Sequence, residues 1–71
     1  MANTINLYEN SYLFHSIETK KNISSDFALM KLSQQYEYRT TSEKLWAEIT
    51  VNGICKRYEL DYENKKVNEI S

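Results

Sequence analysis

Residues 44–62 read K-L-W-A-E-I-T-V, then N-G, then I-C-K-R-Y-E-L-D-Y. Two alternating runs flank Asn52-Gly53, and both residues of that pair tolerate the positive φ that a type I′ hairpin turn requires. A two-residue loop pairs Val51 with Ile54, Ile49 with Lys56, Ala47 with Tyr58 and Leu45 with Leu60. That face is apolar except for Lys56, whose stem can lie along it with the ammonium in water. The other face pairs Thr50 with Cys55, Glu48 with Arg57, Trp46 with Glu59 and Lys44 with Asp61. Opposite charges directly across a ladder contribute a few tenths to about 1 kcal/mol each. A one-residue slip would carry the apolar set to solvent. Turn chemistry, alternation and charge thus select one register.

A third strand follows. Tyr62-Glu63-Asn64-Lys65-Lys66-Val67 supplies a polar turn centred near Asn64-Lys65 and brings Val67 opposite Tyr62 on the apolar face. The strand is short and contains Glu69, which suits a sheet edge that must not pair with strangers. Residues 46–70, with the run Y-E-L-D-Y-E-N-K-K-V, are similar in pattern to the closing strands of PepSY-type domains. The resemblance covers about a third of the chain. Lys66 stands where that pattern usually has Gly, and no function is carried over from it.

The chain has 71 residues, one Cys, one His and one Gly, and no Pro. A core of this size rarely supplies more than about 3–5 kcal/mol without staples. One Cys forbids an intramolecular disulfide, and one Cys with one His make a poor metal-ligand set, so no metal or other cofactor is expected. Six Tyr, two Phe and one Trp must carry the core, or a partner must help, and a homodimer is one option. The scarcity of Gly disfavours a small barrel, whose corners and bulges usually need it. Nine basic and ten acidic residues give a net charge of −1. That balance suits neither a strongly basic nucleic-acid binder nor an acidic DNA mimic. No apolar run approaches the ~18 residues of a membrane span. Met-Ala-Asn-Thr lacks the basic and apolar regions of a signal peptide. A reducing cytoplasm is the expected location, with no membrane partner.

Residues 4–18 make no apolar stripe on a helical wheel and read better as two strands, 4–8 and 12–18, around a Glu9-Asn10-Ser11 turn. Pairing Tyr8 with Tyr12 puts Leu7 opposite Leu13. Ser24-Ser25-Asp26 reads as a helix start, because Ser and Asp side chains accept bonds from free first-turn N–H groups. Ala28, Leu29, Leu32 and Tyr36 then share one side of a 3.6-residue period. Phe27 and Met30 lie off that stripe. A helix over 25–36 follows, although a strand with Ala28, Met30 and Leu32 on one side fits the same residues. Residues 38–41 could form a further short strand.

Cys55 and His15 are the sole candidates for a nucleophile and base. Arg57 near Cys55 could lower a thiol pKa, but nothing brings His15 to it, and the ordinary reading is a strand residue and an exposed histidine. The single Gly53 is used by the turn, so no phosphate-cradling loop exists. Trp46 on the polar hairpin face suits an interface anchor. The more ordinary reading is a ring covered by the N-terminal segment or stacked on Arg57. Glu48, Glu59, Asp61 and Glu63 could form an acidic patch for a basic partner, or a solvated face of mixed charge. Tyr36 and Tyr38 beside Arg39, with Lys20-Lys21 and Lys65-Lys66, could stack and neutralise single-stranded nucleic acid.

The expected fold is α+β. One small domain holds an antiparallel sheet, a meander of about three to five strands, with one helix packed on one face. Leu29, Leu32, Tyr36, Leu45, Ala47, Ile49, Val51, Tyr58 and Leu60 should form the core. The expected function is that of a small non-enzymatic protein-binding module meeting its partner through Trp46, Glu48, Arg57, Glu59 and Asp61. An accessory protein of a phage or other mobile element, inhibiting a host system stoichiometrically, fits that description. Weak nucleic-acid binding through surface Tyr and Lys is the alternative.

Overall fold

A computed structural model describes residues 2–39 and 44–70. In chain order the elements are β1 (Asn3–Glu9), β2 (Tyr12–Thr19), α1 (Ser25–Arg39), β3 (Leu45–Val51), β4 (Ile54–Asp61) and β5 (Lys66–Ile70). The strands form one antiparallel sheet in the order β2-β1-β3-β4-β5, and α1 packs on one face of it, an α+β architecture.

The Asn52-Gly53 hairpin forms as its chemistry dictates. Asn52 takes φ 53° and Gly53 φ 80°, positive at both central positions as a type I′ turn demands. Val51 pairs with Ile54, Ile49 with Lys56, Ala47 with Tyr58, Glu48 with Arg57 and Trp46 with Glu59. The expected Lys44–Asp61 charge pair does not form. Lys44 bridges to Glu59 at 3.2 Å, and Asp61 accepts bonds from the Asn64 backbone and side-chain nitrogens instead.

β5 pairs two residues away from the expected register. Val67 lies opposite Leu60, not Tyr62, and Asp61 opposite Lys66. The connecting loop spans residues 62–65, and Lys65 takes the left-handed φ of 53°. Because strand side chains alternate with period two, a shift of two keeps Val67 on the apolar face. Tyr62 is freed to stack on Tyr36, centroids 4.0 Å apart, and its hydroxyl donates to Glu37 at 3.0 Å.

The N-terminal hairpin departs further. Its loop is Asn10-Ser11, with Asn10 at φ 55°, and Tyr8 pairs with Leu13 while Glu9 pairs with Tyr12. A bulge follows, so that Leu7 lies opposite His15 and Ile5 opposite Ile17. The extra residue is Phe14. A bulge puts two residues opposite one, which lets Phe14 turn inward with Ile17 although the two are three apart. Phe14 packs on the core, and Leu13, expected opposite Leu7, lies opposite Tyr8 and is 45 % exposed.

β1 is a central strand, hydrogen-bonded to β2 on one side and to β3 on the other. Its Ile5 and Leu7 are fully buried, with Ala28, Leu32, Leu45, Ala47 and Ile49 completing the buried cluster. Tyr36, Val51, Tyr58 and Leu60 are partly buried against it, as is Phe27, while Met30 is exposed. Leu29 is half-buried and outside the cluster, contrary to expectation. The helix is longer than expected and runs through Tyr38 and Arg39, so a strand there is not formed; residues 40 and 41 lie outside the described residues. At its start the Ser24 carbonyl accepts from the Phe27 and Ala28 N–H groups at 3.1 and 3.4 Å.

Asn3 is the buried polar residue of the core region. Its Nδ2 donates to the Lys21 carbonyl at 2.9 Å and to Asn22 Oδ1 at 3.4 Å, and its Oδ1 accepts from the Asn52 N–H at 3.2 Å. One amide thus ties the start of β1, the β2–α1 connection and the β3–β4 turn. Asn3→Leu keeps the branched shape and removes these bonds. Hydrogen bonds whose partners lie on exposed residues, as Lys21, Asn22 and Asn52 do, contribute about 0.5–1.5 kcal/mol net. Urea titration should show a loss of stability of that size, and a change below about 0.5 kcal/mol would show the tie to be dispensable.

Candidate functional site

The sheet has two faces, and α1 covers one. Among the described residues no element covers the other. Register alone decides what stands there. Leu13, Tyr8, Trp46, Glu59 and Asn68 form one row across all five strands, and Ser16, Asn6, Glu48, Arg57 and Ile70 form the next. Four of the expected partner-binding residues, Trp46, Glu48, Arg57 and Glu59, therefore sit together at the middle of an open face.

Trp46 anchors this group. Tyr8 stacks on it with centroids 4.1 Å apart and planes inclined by 8°. The indole Nε1–H donates to the Asn10 carbonyl at 2.6 Å. Asn10 in turn clasps the start of β3, donating its N–H to the Lys44 carbonyl at 2.8 Å and accepting from the Lys44 N–H at 3.4 Å. The β1–β2 turn thus holds the indole in place, which is the covering by the N-terminal segment that the sequence allowed. The ring is not lost to a partner. Trp46, Asn10, Lys44, Arg57 and Ile70 line an open cavity of about 320 Å³.

Charge brackets the aromatic pair. Arg57 Nε reaches Glu48 Oε2 at 3.1 Å, and Lys44 Nζ reaches Glu59 Oε2 at 3.2 Å. Exposed ion pairs of this kind are worth about 0–1 kcal/mol, so a partner's charges can replace them at small cost. The neighbouring Glu48 carboxylate and partial burial, burial first, raise the Tyr8 hydroxyl above its ordinary pKa of 10.0. Tyr8 therefore stays a neutral donor throughout the physiological range. Asp61 is on the same face at the end of the sheet, but its carboxylate is turned to Asn64. Those hydrogen bonds hold its pKa below the ordinary value of 3.8. Asp61 thus braces the β4–β5 turn.

The chain matches no known family model, curated protein or solved structure. The pattern shared with the closing strands of PepSY-type domains thus extends to no family match. What the site can do has to be read from its own chemistry.

A nucleophile–base pair is not assembled. Cys55 pairs with Thr50 on the open face, while His15 lies opposite Leu7 on the helix side. Among the described residues no group of His, Cys, Asp and Glu could hold a metal ion. No described helix is long and apolar enough to cross a membrane. The tyrosine platform is also dispersed. Tyr36 stacks on Tyr62, whose ring also carries Lys65 Nζ at 3.5 Å, and Tyr38 is 86 % exposed. Lys21 lies beside Asn3 at one end of the sheet, and Lys65-Lys66 follow β4 at the other.

Sequence reasoning missed Tyr8 and Asn10. The signal for Tyr8 was its phase: it alternates with Ile5 and Leu7, so pairing β1 with β3 sends it to the side of Trp46. The pairing itself is not written in either strand.

Proposed function

We propose that this chain is a non-enzymatic protein-binding module that docks its partner on the open sheet face around Trp46. The observation that carries this reading is the juxtaposition on an uncovered face of a stacked Tyr8–Trp46 pair with the Arg57–Glu48 and Lys44–Glu59 ion pairs. Trp, Tyr and Arg concentrate binding energy because they bury large area while keeping a polar handle. The flanking charges set orientation and exclude wrong partners. The indole is held by two neighbours before any partner arrives, so little side-chain freedom remains to be lost on binding.

Affinity capture of the tagged chain from host lysate, with and without nuclease, tests the reading. One stoichiometric protein that survives nuclease and is lost with Arg57→Glu is the expected result. Partners that vanish with nuclease, and binding to oligonucleotides that weakens steeply with salt, would replace this reading with nucleic-acid binding.

A further inference from the structure

Lys56 lies opposite Ile49 on the face that α1 covers elsewhere. The helix does not reach this corner, where Lys56 is exposed and Ile54 is 64 % exposed. Between the corner and the start of α1 runs a groove of about 270 Å³, walled by Ile23, Ile49, Val51, Ile54 and Tyr58. Lys56, Ser24, Ser25 and Asn52 supply its polar lining, and no carboxylate does. Glu69, opposite Tyr58 and diagonal to Lys56, is an acid of β5 on this face. The ion pairs formed by the described residues involve neither Glu69 nor Lys56. Among the described residues the Lys56 ammonium has no ion-pair partner, and it stands at an apolar groove on a chain whose net charge is −1.

We propose that this groove docks a segment of a partner protein that presents an apolar side chain next to a carboxylate. The apolar walls take the side chain, and Lys56 takes the carboxylate, which finds no competing negative charge in the lining. Small-molecule pockets run from about 300 to 1,000 Å³. This groove is smaller and open, which fits one anchoring side chain of a larger partner rather than an enclosed ligand. It lies on the opposite side of the sheet from Trp46, so it stands or falls separately from the open-face site.

The test uses the full chain, labelled with ¹⁵N, and three terminally blocked peptides with a common Leu-Phe centre flanked by Glu, Gln or Lys. The Glu peptide should shift the amides of Ser24, Ser25, Ile54 and Lys56 and leave the Trp46 indole N–H unmoved. It should bind at least about tenfold more tightly than the Lys peptide, with the Gln peptide between them. Lys56→Glu should reverse that order, and Lys56→Gln should abolish it. The spectrum of each variant reports its own folding. Equal affinity for the three peptides would overturn the proposal. So would shifts centred on Trp46, an order unchanged in the Lys56 variants, or no shift at about 1 mM peptide.

Discussion

Leu7→Ala is expected to leave the chain largely unfolded at 25 °C. Leu7 is fully buried on β1, between β2 and β3. Truncating a buried leucine to alanine costs about 2–5 kcal/mol, because the lost transfer energy adds to the cavity left behind. A domain of this size without staples holds about 3–5 kcal/mol in total. Relaxation is restricted, since β1 is pinned by a ladder on each side. Urea titration followed by circular dichroism should show a midpoint near zero denaturant. The control is Leu13→Ala on the same hairpin. Leu13 faces the open side and is 45 % exposed, so its loss should stay within about 0.5 kcal/mol. Near-equal effects of the two substitutions would refute the bulged register.

Trp46→Ala is expected to weaken the partner's binding at least about 30-fold, the roughly 2 kcal/mol that marks an interface hot spot. It also removes the Tyr8 stack, worth about 0.5–1.5 kcal/mol beyond area, and the hydrogen bond to Asn10. The two effects separate by experiment. Tyr8→Ala removes the stack and keeps the indole; Trp46→Phe keeps an aromatic ring and removes the Nε1–H donor. If the indole is itself the anchor, calorimetry with the captured partner should rank Trp46→Ala as the weakest binder. Tyr8→Ala should lose stability more than affinity. A folded Trp46→Ala variant that binds like the parent chain would eliminate this face as the docking site.

The parts of this fold that could be read from residues alone are those whose determinants lie close together. Asn52-Gly53 and the alternation on either side specify a register within a few residues, and that register is the one formed. Ala28 and Leu32 mark the buried side of the helix by their spacing. Where the deciding contact was distant, the reading failed. Phe14 and Leu13 exchange roles because of a bulge with no local signature. Tyr62 leaves the strand because Tyr36, on another element, offers it a stacking surface. Leu29 belongs to the stripe yet lies outside the core, because the sheet and not the wheel sets which helical side is covered. The site divides the same way. Trp46, Glu48, Arg57 and Glu59 share one hairpin and were legible together. Tyr8 and Asn10 join them through a ladder between β1 and β3 that no short-range pattern records. Asn3 was silent for the same reason: its three partners come from two distant segments.

The sheet order has a consequence for the order of events during synthesis. β1 is made before β3, yet β3 forms one of its two ladders. Loop closure between such distant segments must precede the contacts that reward it. At about 5–20 residues per second, roughly 2–8 seconds separate the appearance of Glu9 from that of Thr50. During that interval Ile5 and Leu7 have the β2 hairpin beside them but no second flank and no helix seated over a finished sheet. The nascent segment therefore waits with β1 half-paired, and the sheet closes only after β3 has been made rather than by stepwise accumulation from the first hairpin.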